Sequence, residues 1–182
     1  MIENGLHDLP PGKVAMIVTH LEMRAAVLRG VPCPEGLSLE RIAPDVAAYR
    51  DLFRHVGQDW LWYGRIVMAD ADLQAILDDP AVHIFTLMKD GTPEALLELD
   101  FRETGACELA YFGVSKELIG TGAGAFLMDQ AVERAFAGQI SRFHVHTCTI
   151  DSPKALPFYI RSGFKVTRQQ VELDDDPRLK GL

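Results

Sequence analysis

Three glycines at alternate positions, Gly120, Gly122 and Gly124, stand at the head of a segment with strong helical rhythm. A helix begins with backbone N–H groups that lack an intrahelical acceptor and with the positive end of its dipole. Glycine lets an anion reach those groups without meeting a Cβ. The chemistry this spacing supports is the binding of a phosphorylated cofactor, and a plain tight turn is the other reading of the same residues. His144 and His146, with Cys148 two positions on, share one face of a short β-type segment. Zinc uses such ligands, but a fourth ligand and a loop to carry it are not evident. No metal is expected, and histidines packed under a helix are the better reading.

Positioning these residues requires a sheet. The segment 107–114 (CELAYFGV) is mostly apolar on both faces, as in the middle of a sheet. After the glycines, Leu127, Met128, Ala131, Val132, Ala135 and Phe136 alternate in pairs with polar Asp129, Gln130, Glu133 and Arg134, a helical period. A strand at 143–150 follows, so strand, helix and strand make a βαβ unit with a parallel crossover. Ser152 and Pro153 open a last helix as N-cap and first residue, Gly163 closes it, and a strand runs over 164–173 before an acidic tail.

Upstream, 37–42 alternates with period two as a strand, and Ala43-Pro44-Asp45 starts a helix carrying Val46, Tyr49, Leu52, Phe53 and Val56, ended by Gly57. An aromatic link, Trp60, Trp62 and Tyr63, leads to a short helix at 70–77. Strands at 82–88 and 95–101 form a hairpin about Asp90-Gly91. The segment 13–24 reads as a strand, with a short helix after Thr19 as the alternative, and residues 1–12 are polar and loosely held.

The chain has 182 residues, is 48% hydrophobic and carries a formal charge of −8. That length suits one domain over 1–182, with 1–36 as an N-terminal extension. The acidic balance argues against nucleic acid and slightly favours a cationic substrate. Three cysteines without a CxxC pair indicate neither a disulfide framework nor a zinc knuckle. Lacking a signal-peptide pattern or a long apolar run, the sequence is expected to be cytoplasmic, with no membrane partner.

The element order βααβββαβαβ with a glycine turn between central strand and helix resembles the GNAT superfamily of acyl-CoA N-acyltransferases. The segment Ala155-Leu156-Pro157-Phe158-Tyr159-Ile160-Arg161-Ser162-Gly163-Phe164 is similar to that family's A-x-x-F-Y-x-x-x-G-F segment. The resemblance covers about residues 37–173. It implies a mixed α/β (α+β) fold, with a mostly antiparallel sheet of six to seven strands and helices on both faces. It also implies acetyl-CoA as acyl donor and a small-molecule or peptide amine as acceptor.

By the same resemblance, the acyl-CoA site comprises Phe112, Gly113 and Val114 along the pantetheine arm. The turn Ile119, Gly120, Thr121, Gly122, Ala123, Gly124 and Ala125 holds the diphosphate, with Ser152 and Phe158 nearby. Ile119 stands where relatives carry Arg or Gln, which removes one side-chain contact and leaves the backbone donors. Tyr159 is the expected acid for the departing thiolate, and a core tyrosine is the bland reading. Glu98, Asp100 and Glu108 lie on strands bordering the acceptor site; Glu108 and Glu98 are carried as catalytic candidates, and holding amine and thioester together without a dedicated base is the alternative.

Relatives have two strands after the last helix and this chain has room for one. The segment 13–24 is expected to fill the missing edge, within its own chain or across a homodimer. Two other functions stay open. One is a non-catalytic acyl-CoA-binding or interaction domain of the same fold. The other is an NAD(P)-dependent oxidoreductase, since Gly120-x-Gly122-x-x-Ala125 fits the loose dinucleotide fingerprint. Against it, five residues separate strand from glycines and no acidic residue ends the next strand.

Overall fold

The computed structural model describes residues 3–181; residues 1 and 2 of the N-terminal stretch lie outside the described residues. In chain order the elements are β1 (Lys13–Met23), β2 (Leu37–Ile42), α1 (Val46–Gly57), α2 (Gly64–Val67), α3 (Asp70–Leu77), β3 (Val82–Lys89) and β4 (Thr92–Pro93). They continue with β5 (Ala95–Asp100), β6 (Ala106–Val114), α4 (Ala123–Ala137), β7 (Arg142–Cys148), α5 (Ala155–Arg161) and β8 (Lys165–Asp175). The eight strands form one sheet in the order β2-β3-β5-β6-β7-β1-β8, with β4 paired to β3. Every pairing is antiparallel except β6 with β7. β1 makes the seventh strand, and the count exceeds the expected six to seven because the hairpin turn adds the two-residue β4.

Two cores lie on opposite faces of this sheet. On one face Leu127, Ala131, Val132 and Ala135 of α4 and Tyr159 of α5 pack on Leu97, Leu99, Cys107, Leu109, Phe143 and Val145. On the other, Tyr49, Leu52, Phe53 and Val56 of α1 with Leu73 of α3 pack on Val82, Ile84 and Leu96. The β5 residues Leu96, Leu97 and Leu99 are fully buried, because the sheet is covered on both sides there.

The N-terminal strand is extended, not helical, and it pairs within its own chain. It does not take the edge: β1 lies between β7 and β8, antiparallel to both, and β8 is the edge strand. The following segment is tied to α4, where Arg29 and Val31 donate backbone N–H bonds to the Asp129 carboxylate. Asp129, read from its rhythm as a polar helix position, is therefore buried and serves as the acceptor for those amides.

Helix starts shift slightly from expectation. Asp45 is the N-cap of α1, its carboxylate accepting from the Ala48 N–H at 2.8 Å, so Pro44 precedes the helix. Ser152 does not cap α5 directly. Its hydroxyl accepts from Lys154 N–H at 3.3 Å in a turn, and the α-helix begins at Ala155. The last strand reaches Asp175, so two residues of the acidic tail are hydrogen-bonded sheet.

Candidate active site

The parallel ladder between β6 and β7 is short. It pairs Ala106, Cys107 and Glu108 with Arg142, Phe143 and His144 and then stops, while β1 continues along the far side of β7 to Cys148. Beyond Glu108 the two strands part. The backbone of Leu109 to Val114 is left without a ladder partner on the side toward β7, an opening that an extended ligand can line like an added strand. Residues 110–114 are correspondingly half-exposed, although they sit mid-sheet.

Tyr159 lies at the foot of this opening. Its ring contacts Phe112 of β6, Phe158 and Phe164, with centroids 6.2, 5.8 and 5.9 Å away, and Phe112 stacks on Phe158 at 5.6 Å. Phe112 of β6 thus forms one aromatic cluster with Phe158 and Tyr159, which lie more than 40 residues later. Among the described residues the Tyr159 hydroxyl has no hydrogen-bond partner. Burial, and then the nearby Asp151 carboxylate, push its proton affinity well above that of a free phenol.

The glycine turn closes one end of the opening. Gly120 and Gly122 have φ of +87° and +91°, which only glycine adopts without strain, and Gly122 is the N-cap of α4. Among the described residues, a Cβ built on Gly120, Gly122 or Gly124 meets nothing within 4 Å. Ala125 and Phe126 donate to the Gly122 carbonyl at 3.0 Å, and Ala123 donates to the Thr121 hydroxyl at 3.3 Å. The N–H groups of Gly120, Gly122 and Gly124 have no acceptor among the described residues. Ile119 is half-exposed beside them, and Ser152 sits at the start of the β7–α5 connection.

The three carboxylates separate. Glu98 has no exposed surface; it accepts from Tyr49 of α1 and, at 2.5 Å, from Arg65 of α2, both themselves buried. Asp100 is held by the backbone and guanidinium of Arg102 at 2.5–3.0 Å. Glu108 stands at the point where β6 and β7 part, with His146 Nδ1 3.6 Å from its Oε1. That histidine holds Glu108 below the usual carboxylate range against the opposing pull of burial, and Glu108 in turn raises His146 above the ordinary histidine value.

His144 and His146 are not packed under a helix. Phe143, Val145 and Thr147 point into the buried face of β7, which turns the two histidines to the uncovered face. His146 lies 5.9 Å from His20 of β1, ring to ring. Among the described residues no group of three metal-type ligands converges. A hollow of about 250 Å³ beside Glu108 and His144 is walled by Asp100, Arg102 and Glu103.

The aromatic link forms the other wall. Trp62 donates to Asp151 Oδ1 at 3.3 Å, and Tyr63 donates to Asp174 at 2.6 Å. Asp151 also accepts from Thr147 Oγ1 and Cys148 N–H, fixing the β7–α5 connection. Two glycines admit the indole: a Cβ on Gly57 would lie 2.3 Å from Trp62, and one on Gly113 would lie 2.6 Å from Val56 and 3.1 Å from Trp62. Asp151 escaped the sequence reading, and His146 entered it only as a metal-ligand candidate or a histidine under a helix. The only signal for Gly113 was a glycine in mid-strand, which marks close approach.

A family model described as Acetyltransferase (GNAT) family matches residues 47–164. No curated protein sequence matches the chain. Among solved structures, the chain is similar to a GCN5-related N-acetyltransferase from Sphaerobacter thermophilus, with TM-score 0.65, 15% identity, and coverage of 88% of this chain and 52% of that one. A second, from Kribbella flavida, gives 0.59 and 18%, covering 90% and 60%. An aminoglycoside acetyltransferase from an uncultured soil metagenomic sample, in complex with sisomicin, gives 0.57 and 16%, covering 70% and 87%. The chain spans little more than half the length of the first two, and identities this low carry the fold and not the substrate.

Proposed function

The chain belongs to the GNAT acetyltransferase family, and from that membership we propose that it transfers an acetyl group from acetyl-CoA to a primary amine by direct attack. The observation that carries this reading is the opening between β6 and β7, with three open glycine amides at one end and Tyr159 at its foot. In it, Gly120, Gly122 and Gly124 receive the diphosphate, with Thr121, Ala123 and Ala125 shaping the turn. The backbone of Phe112, Gly113 and Val114 pairs with the pantetheine arm, Phe158 packs against it, and Ser152 lies at its flank.

The amine nitrogen attacks the thioester carbon, the C–S bond breaks, and the sulfur leaves with its electron pair. Tyr159, kept protonated by burial, gives the thiolate its proton. The amine must shed a proton too. Glu108 and His146 act as one accepting unit: the imidazole, made more basic by the carboxylate beside it, takes the proton and the carboxylate balances the imidazolium. Glu98 does not serve, since Arg65 and Tyr49 already fill its oxygens away from solvent.

The acceptor is a cation before it reacts. Glu108, Asp151 and Glu172 act together on His146, and Asp174 binds Tyr63 beside them, so the mouth of the opening favours a positively charged amine. The test is release of free CoA from acetyl-CoA with a panel of amines, including aminoglycosides, polyamines, amino acids and peptides. Tyr159→Phe is expected to lower the rate by about 100-fold or more. An unchanged rate in that variant removes Tyr159 as the acid. Acetyl-CoA binding with no CoA release from any amine favours the non-catalytic reading instead.

A further inference from the structure

We propose that the outer edge of β8 is a self-association surface, on which a second copy of this chain lays its own β8 antiparallel across a two-fold axis at Gln170. The proposal is independent of the reaction. β8 is eleven residues long, lies at the end of the sheet and, among the described residues, pairs only with β1. All of its residues except Asp174 are exposed. It contains no proline or glycine, and its single irregularity is the bulge at Thr167. A long edge of this kind presents unpaired backbone donors and acceptors that accept another strand unless something blocks it.

The sequence of the strand says which partner fits. Its first half carries Lys165 and Arg168, and its second half carries Glu172, Asp174 and Asp175. Antiparallel pairing about Gln170 sets Arg168 opposite Glu172 of the copy, and Glu172 opposite the copy's Arg168. Gln170 then meets itself. Parallel pairing in register would instead put each charge against its like. Among the described residues, neither Arg168 nor Glu172 has a salt bridge within its own chain. The two-fold therefore supplies both with a partner that the monomer lacks.

The apolar residues fit the same arrangement. Val171 and Leu173 are 48% and 57% exposed, and they share a face with Ile17 of β1, which is 42% exposed and lies opposite Val171 in the ladder. Across the two-fold, Val171 of each copy sits next to Gln169 of the other. The apolar strip then runs over both chains on one face, while the charged pairs occupy the other.

The experiment is sedimentation velocity of the wild-type chain over about 1 to 100 µM, alongside Arg168→Glu and Glu172→Arg. Both positions are exposed, so both variants should keep the wild-type circular dichroism and melting curve. The wild type is expected to dimerise, and each variant to dissociate about tenfold or more readily, because each creates two like-charge contacts per dimer. Mixing the two variants restores every pairing, so the mixture is expected to dimerise where each alone does not. A monomeric wild type overturns the proposal, as does a dimer indifferent to the reversals or a mixture that stays monomeric.

Discussion

Glu98→Gln separates a structural carboxylate from a catalytic one. Glu98 is fully buried, Arg65 is 8% exposed, and Tyr49 is fully buried. Desolvation pulls the Arg65 pKa down more strongly than any other single influence, yet Glu98 and the tyrosines together leave it above its ordinary value. Tyr49 is pushed up by burial and then by Glu98. Replacing the carboxylate with an amide strands the Arg65 charge, which costs about 3–5 kcal/mol. For a chain of this size that is a fall in Tm of about 6–20 °C. Urea unfolding followed by circular dichroism reads the loss, and CoA release per folded molecule is expected to stay within about threefold. The double variant Arg65→Met with Glu98→Leu removes both charges and should recover most of it, short of about 1–3 kcal/mol for the orphaned Tyr49 hydroxyl. A Glu98→Gln chain that unfolds within about 1 kcal/mol of wild type, yet has lost about 100-fold in rate, would refute this reasoning and return Glu98 to the chemistry.

Gly113→Ala places a methyl 2.6 Å from Val56 and 3.1 Å from Trp62; it should cost about 1–3 kcal/mol, shift the tryptophan fluorescence and raise the KM for the amine more than that for acetyl-CoA. Gly122→Ala must hold a side chain at φ +91°, so it should lose about 1–2 kcal/mol in unfolding experiments as well as acetyl-CoA affinity in calorimetry. The Glu108–His146 pair sets a pH window. Glu108 is lowered from 4.5, so its contribution is full above that value and lost as pH falls through its folded pKa; His146 is raised from 6.5, so its contribution is full below that value and lost as pH rises through its folded pKa. The difference in stability between wild type and His146→Asn should therefore peak between pH 4.5 and 6.5; thermal melts across pH check this. The same variant should remove the limb of kcat/KM that rises with pH above 6.5.

Local patterns were readable in the sequence and long-range pairings were not. The rhythm of Leu127, Met128, Ala131, Val132 and Ala135 fixes α4 because a helix advertises its buried stripe within four residues. The glycine turn was legible because positive φ at Gly120 and Gly122 leaves few alternatives to glycine. The β-branched content of 13–24 marks a strand, yet it does not say that its neighbours are strands more than 100 residues later. Asp129 reads as a solvated helix residue until the backbone of 29–31 arrives to use it. His146 was misjudged for a related reason. Period two shows that His144 and His146 share a face, but only the placement of α4 and α5 decides which face is covered. Glu98 and Glu108 could not be ranked, since Arg65 and His146 come from other elements.

The account rests on a diphosphate held by open amides at the head of α4, and backbone resonances report that directly. In a titration of the isotope-labelled protein with CoA, the N–H signals of Gly120, Gly122 and Gly124 should move farthest and saturate together. Those of Phe112 and Val114 should follow the same curve. Binding that saturates while the three glycine signals stay where they were would contradict the account.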